Sequence, residues 1–258
     1  MLKFLKRKSG PPTAATVMRR VIIHKYVHLK PSVVPSIESL EPTMRAWKES
    51  EQLRAYRDHA QLQVNELKEY GAWNEMTDEE QGLIAGGIRS MTEEARLYAK
   101  WMGEAMICML WALGHRENLV SYDREADASE IDIFPKGALD KLVAEAKLRP
   151  SDEIEKQRKI AQAWHWRART HRAMKQAEAE NRETLKAAVR SKAQKAVEDG
   201  LLAAALADDF PILGKAYGDL AEEEFISASI SAQERHRAFN WMCGYARRNR
   251  WDRTPIET

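Results

Sequence analysis

Residues that interrupt regular structure are scarce in this chain of 258 residues. Only 12 glycines and 9 prolines are present, so long helices can form. Charged residues make up 31% and hydrophobic residues 44%, a balance that argues against wholesale disorder. The two cysteines, Cys108 and Cys243, are too few and too far apart for a zinc ribbon. Both lie in apolar helical patterns, which indicates buried thiols in a reducing compartment.

Several signatures of enzymes and membrane proteins are missing as well. The chain contains no Gly-x-Gly-x-x-Gly, no Gly-x-x-x-x-Gly-Lys-Ser/Thr and no Gly-x-Ser-x-Gly motif. The longest apolar run, Ala105 to Leu113, is too short to cross a bilayer. Ser9 and two prolines follow the basic N-terminus where a signal peptide would need its apolar core. We therefore expect a cytoplasmic protein without a transmembrane segment.

Neither sign of charge is in clear excess, since the formal net charge is +2. Nucleic-acid-binding proteins are usually more basic or carry a basic stripe, so nucleic acid is a disfavoured partner. Basic residues do cluster in Met1–Lys8, and we predict that residues 1–16 form a flexible basic tail. Binding to RNA or to an anionic membrane surface would depend on this tail.

Helical periodicity dominates the rest of the chain and predicts an all-α, single-domain bundle over residues 17–258. Thr77 with Glu80, and Ser90 with Glu93, have the spacing of a capping box that starts a helix. Ser151 is expected to cap a helix that continues almost unbroken to about Ala207. Residues 172–207 of it form an extended charged arm. Asp219 with Glu222 is expected to cap the last helix. The β-branched segment Val17–Val27 could form a strand or a short helix, and a minor β element is expected near Val21–Val27 or Phe210–Leu213.

The most informative segment is an apolar helix that ends near Leu113. Steps of three and four residues place one carboxylate within an apolar stripe, which consists of Leu97, Trp101, Glu104, Cys108 and Trp111. A carboxylate removed from water is costly unless it finds a partner, binds a metal or becomes protonated. Glu104 is therefore predicted to meet a partner inside the protein.

Two other helices place ionisable side chains beside apolar faces. His236 shares a face with Phe225, Ala232 and Phe239. In the helix that contains Trp164, the ionisable residues His165 and Arg169 lie beside the apolar face. The side chains that could meet in a common centre are Glu104, His165, Arg169, Glu234, Arg235, His236 and Asn240. One hypothesis is a structural polar network that holds the helices in register. The other is a site in which Glu104 or Glu234 acts as a base or metal ligand, with His165 or His236 as acid, base or ligand.

A metal centre receives little support from the residue spacing. Di-iron helical bundles use Glu-x-x-His, whereas Glu234 and His236 are only two residues apart and point to different sides of the helix. His24 and His28 have helical metal spacing, but no third ligand is near them in sequence. We therefore predict no metal and no cofactor.

A set of short motifs, in a fixed order, resembles the bacterial family called domain of unknown function 4272 (DUF4272). The motifs are Trp111–Gly114, Ala146–Pro150 with Glu153-Ile154, His165-Trp166, Glu234–His236 with Asn240-Trp241, and Trp251-Asp252, together with Val34–Glu38 and Phe210–Lys215. The resemblance covers about residues 17–258. It implies a bacterial, soluble, single-domain protein of unknown activity. It also implies that Arg149 and Glu153 belong with the polar residues named above.

Two functions remain open on this basis. The first is a non-catalytic protein-interaction module that uses the charged helix around Gln176–Lys195 and contains a buried polar network. The alternative is a hydrolase or metal-dependent enzyme that uses Glu104, His165, Glu234 and His236. The sequence indicates no oligomeric state.

Overall fold

The computed structural model describes residues 10–33, 42–86, 92–127 and 139–257, and within these ranges the protein is all-α. The helices are α1 (Ala14–Val33), α2 (Pro42–Glu69), α3 (Asp78–Ala85), α4 (Glu93–Ala112), α5 (Leu139–Glu145), α6 (Ser151–Gln176), α7 (Ala179–Glu198) and α8 (Glu222–Met242). A two-residue hairpin, β1 (Pro211–Ile212) and β2 (Lys215–Ala216), precedes α8 and confirms the minor β element expected at Phe210–Leu213. Among the described residues, no helix combines the length and the apolar character needed to cross a membrane.

Helix α4 lies at the centre of the fold. Its sequence is apolar on nearly all sides, and every residue from Trp101 to Ala112 is buried. Helices α1 and α8 pack against α4, and α6 packs against α8. Only the first turns of α4 reach the surface, so Leu97, which the apolar stripe predicted to be buried, is exposed.

Helix α1 replaces the strand that the β-branched residues of Val21–Val27 suggested. Val17, Val21 and Ile22 are buried at helical spacing against the central core. Packing on α4 therefore outweighs the modest helix propensity of valine and isoleucine. Helix α1 begins at Ala14, and residues 1–9 of the predicted basic tail lie outside the described residues.

Helix ends follow the predicted caps only in part. Thr77 and Glu80 form the predicted capping box of α3. At α4 the cap is Thr92, which accepts a hydrogen bond from the Ala95 amide at 3.1 Å, while Ser90 lies outside the described residues. The predicted caps Ser151 and Asp219 are wrong.

The observed caps lie next to the predicted ones. Pro150 precedes the first turn of α6, so Ser151 is already helical. At α8 the N-cap is Ala221, two residues later than predicted, and the Glu224 carboxylate accepts a hydrogen bond from the Ala221 amide at 2.8 Å. The short helical turn Tyr217–Asp219 occupies the place of the predicted cap.

The long charged helix expected after Ser151 is divided in two. Ala177 is extended, which ends α6, and Arg182 at the start of α7 donates hydrogen bonds to the carbonyls of Met174 and Ala177. Helix α7 contributes to a second, smaller apolar core with α6, the hairpin and α8. The first core surrounds α4.

The N-terminal end of the described chain packs tightly against the end of α8. Gly244 has a φ of +78°, and a Cβ at this position would lie 2.5 Å from the carbonyl carbon of Gly10. Only glycine therefore suits this position without displacing Gly10 and Pro11.

Candidate functional site

The four carboxylate and imidazole residues that the sequence singled out all lie in the interior, as the periodicity predicts. The exposed fractions are 1% for Glu104, 3% for His165, 5% for Glu234 and 0% for His236. Helices α4, α6 and α8 supply them. Their partners separate them into distinct groups.

Glu104 and Arg235 form a buried ion pair between α4 and α8. The Arg235 Nε donates to Glu104 Oε2 at 2.7 Å, and the other carboxylate oxygen accepts the Ala126 amide at 2.7 Å. Arg235 also donates to the carbonyls of Val120, Ser121 and Arg124. The pair thus ties the segment after α4 to both helices.

Aromatic rings cover the same ion pair. The Arg235 guanidinium lies 4.7 Å from the centre of the Tyr122 ring, which stacks on Trp164 with ring centres 4.9 Å apart. Burial raises the pKa of the nearby Cys108 thiol to about 12, so this cysteine is inert, in line with its predicted structural role. Hydrogen bonds and ring contacts together indicate a structural use of Glu104.

His165 of α6 and His236 of α8 form a second group. Their Nδ1 atoms are 3.0 Å apart, so one of the two nitrogens must carry the shared proton. The Asn240 side-chain amide donates to His236 Nε2 at 3.0 Å, which assigns the proton of His236 to Nδ1. Burial lowers the pKa of His165 to about 4 and that of His236 to about 3, so both rings are neutral near pH 7.

Asn240 extends this histidine pair towards the end of the chain. Its amide nitrogen also donates to the Pro255 carbonyl at 2.8 Å, and its oxygen accepts from Arg158 at 3.5 Å. The predicted residue Asn240 therefore joins α8, α6 and the C-terminal segment.

Glu234 stands apart from both groups. Its Oε1 accepts from the Gln233 side chain at 3.2 Å, and Arg237 lies 3.5 Å from its Oε2. Burial raises the pKa of the Glu234 carboxyl. The Arg237 contact on the same helix offsets part of that desolvation.

The remaining predicted residues lie nearer the surface. Arg149 donates to the Trp111 carbonyl at 2.8 Å, and its ion pair with Glu153, at 3.7 Å, is partly exposed. Arg169 is exposed on α6, and its positive charge contributes to the low pKa of His165. These residues do not join the Glu104 and Arg235 pair.

Two buried clusters of polar side chains were not predicted from the sequence. Arg20 donates to both carboxylate oxygens of Glu80 at 2.9 Å, and His24 packs edge-on against Trp251 with ring centres 4.6 Å apart. Arg20 and His24 are four residues apart beside the apolar positions of α1. The helical alternative for that segment places the two side chains on one face of the helix.

The second such cluster joins α6 to the hairpin. Arg167 donates two hydrogen bonds to the Asp209 carboxylate, at 2.5 and 2.6 Å. Asp209 also accepts hydrogen bonds from the backbone amides of Phe210 and Gly218. Arg167 and Asp209 are 42 residues apart in sequence. Local periodicity carries no signal for such a pair.

A cavity of about 410 Å³ borders one of the predicted residues. Glu104 lines it together with His28, Lys100, Trp101 and Glu125. His165, Glu234 and His236 are not among the described residues on its wall. Within the described residues, no group of three or more His, Cys, Asp or Glu side chains is arranged to hold a metal ion.

Comparison with known proteins identifies the family. Searches of curated proteins and of solved structures returned no match. The sequence model of the domain of unknown function DUF4272 matches residues 14–193, from the start of α1 into α7. That range covers most of the 258 residues. The chain therefore belongs to the DUF4272 family.

Proposed function

We propose that this protein is a non-catalytic interaction module that presents helix α7 to a protein partner. The observation that carries the proposal is the contrast between the two halves of α7. Residues 179–188 include no buried side chain, whereas Val189, Ala193 and Ala196 in the second half are buried. The first half, together with the exposed side of the second half that carries Arg190 and Lys192, is thus a helical surface that the described chain leaves uncovered.

An exposed polar helix must be stabilised by contacts elsewhere in the protein. Short helices without an apolar face are marginal in water, and most helices are stabilised by packing. Here the packed second half and the Arg182 contacts to the end of α6 hold the first half in place. A preformed helix loses little conformational entropy when a partner binds it.

The charges of α7 favour an acidic partner surface. The helix carries five basic and three acidic side chains. Lys186 and Arg190 pair with Glu183 and Asp208, but all four side chains are more than half exposed, and such pairs contribute little stability. A partner carboxylate can therefore replace them at small cost.

The polar groups in the interior support the same proposal. Glu104, Arg235 and His236 use their polar atoms on other parts of the chain, which suits a scaffold that positions α6 and α7. Both cysteines are free thiols, in keeping with the cytoplasmic location that belongs to this proposal.

The test is affinity capture with the full chain from a lysate of the source organism, followed by a binding measurement on each purified partner. We expect the triple variant Lys186→Glu, Arg190→Glu, Lys192→Glu to weaken binding at least about tenfold, because charge complementarity is lost. The matched control reverses three exposed lysines elsewhere, Lys141, Lys147 and Lys159, with the same change in net charge.

We expect the control to bind within about twofold of the unchanged protein. Equal weakening by both triple variants would show a general charge effect and refute the role of α7. A capture that yields no directly binding protein, or one that yields a nucleic acid, would also refute it.

A second candidate, the hydrolase or metal-dependent enzyme, is favoured by one observation: Glu104 borders the cavity of about 410 Å³. An active-site role predicts that Glu104→Ala preserves or raises the free energy of unfolding. A structural role predicts a large loss. Chemical unfolding of this variant distinguishes the two.

A further inference from the structure

A second cavity, of about 480 Å³, lies where α3, α4 and α8 meet the C-terminal segment. Asp78 and Glu79 line it from the start of α3, Tyr98 from α4 and Arg237 from α8. Thr77 and residues 250–252, 254 and 256 of the C-terminal segment provide the remaining wall. The volume falls within the range of about 300–1,000 Å³ that is typical of small-molecule sites.

The wall carries charges of both signs. Arg250 and Asp252 bind each other through two hydrogen bonds of 2.9 and 3.1 Å, so their charges largely cancel. Asp78 and Glu79 are exposed carboxylates. Arg237 of α8 supplies a guanidinium, one nitrogen of which already lies 3.5 Å from Glu234 Oε2. A ligand in this cavity therefore meets two negative groups and one positive group.

Aromatic rings give the cavity a rigid apolar part. Trp251 is 3% exposed and is fixed by edge contacts to His24 and to Trp241, with ring centres 4.6 and 6.0 Å apart. The Arg237 guanidinium lies 6.0 Å from the centre of the Trp251 ring. Tyr98 adds a second ring to the wall. The site is thus formed before any ligand binds, which lowers the entropic cost of binding.

Polar atoms in the same wall are left without partners. The indole Nε1 of Trp251 and the hydroxyl of Thr254 are buried and find no hydrogen-bond partner within the described part of the chain. Because these two atoms have almost no accessible surface, they lie inside the wall, and a ligand in the cavity would contact the rings and the charged groups instead.

We propose that this cavity binds a small zwitterion of the α-amino acid class, with its ammonium group at Asp78 and Glu79 and its carboxylate at Arg237. A simple anion would face the two carboxylates, and a simple cation would face the guanidinium. A ligand with both charges complements all three groups, and its carboxylate would share Arg237 with Glu234. The aromatic rings favour an apolar or aromatic side chain.

The test begins with a thermal-shift screen of the full chain against the twenty standard amino acids, followed by calorimetry. L-phenylalanine, 2-phenylethylamine and 3-phenylpropionate form a matched set that shares the phenyl ring and carries both charges, the positive charge or the negative charge. We expect the amino acid to bind at least about tenfold more tightly than either relative, since each lost ion pair removes a charge-assisted contact. Equal affinities across the set, or no binding by any of the twenty amino acids, would overturn the proposal.

Variants connect the binding to the named residues. Asp78→Asn with Glu79→Gln removes two exposed carboxylates, and Glu180→Gln with Glu198→Gln on α7 makes the same charge change away from the cavity. The first variant should lose at least about tenfold in amino-acid affinity while the second stays within about twofold. Equal losses in both variants would contradict the assigned site. This result does not depend on the role of α7.

Discussion

Removal of the Glu104 carboxylate is the most informative perturbation of this fold. In Glu104→Ala, Arg235 keeps its hydrogen bonds to the carbonyls of Val120, Ser121 and Arg124 but loses its only charged partner among the described residues. The guanidinium is 3% exposed, so water cannot readily replace the carboxylate. The Ala126 amide loses its acceptor at the same time.

The expected cost follows from that geometry. Breaking a buried ion pair by removal of one partner typically costs about 3–5 kcal/mol, because the other charge is left uncompensated. For a chain of this length, 1 kcal/mol corresponds to a shift of about 2–4 °C in Tm. We therefore expect Glu104→Ala to lower Tm by roughly 6–20 °C.

Urea unfolding followed by far-ultraviolet circular dichroism measures the loss directly, with the linear extrapolation of the free energy of unfolding. Hydrogen exchange provides a local measurement, since the Ala126 amide should exchange faster in the variant. The control is Glu153→Ala, which breaks a pair whose carboxylate is 47% exposed and should cost less than about 1 kcal/mol. A loss of stability in Glu104→Ala no larger than that in this control would refute the structural role of the buried pair.

Three further predictions concern other parts of the fold. His165 and His236 take up protons on unfolding below about pH 6.5, so the free energy of unfolding should fall as pH drops from 6.5 towards 4, by at most about 1.4 kcal/mol per pH unit for each proton. Asp209→Asn should cost about 3 kcal/mol in urea unfolding because it weakens the buried grip on Arg167. Gly244→Ala should cost at least about 1 kcal/mol more than Gly114→Ala, because both positions have positive φ but only the first Cβ would meet backbone.

For each of these three predictions, a specific result would contradict it. A double variant, His165→Gln with His236→Gln, should show a shallower pH dependence, and an unchanged slope would remove the pair as its source. Asp209→Asn that unfolds like the unchanged protein would contradict a role for the Arg167 contact. Equal costs for the two glycine variants would show that the approach of Gly10 to Gly244 does not constrain the fold.

The central part of the fold follows from the sequence because its signals are local and strong. Helix α4 is apolar on almost every side, so its burial and that of Glu104 are direct consequences of periodicity. The burial of His165 and His236 follows from the same argument. Their pairing through Nδ1 depends on how α6 crosses α8, which no single-helix pattern specifies.

Other features required tertiary information. The β-branched residues of α1 favour a strand in isolation, and only packing against α4 makes them helical. Arg167 and Asp209 meet across 42 residues because the hairpin folds back on α6. The break after Gln176 has no proline or glycine to mark it, so high helix propensity hid it.

The claim that buried charges serve the scaffold is tested most directly by a double-mutant cycle on Glu104 and Arg235. The free energy of unfolding is measured for Glu104→Ala, for Arg235→Ala and for the double variant. We predict a coupling energy of at least about 2 kcal/mol, because the two side chains are each other's buried counter-charge. A coupling energy near zero would contradict the structural role of this pair.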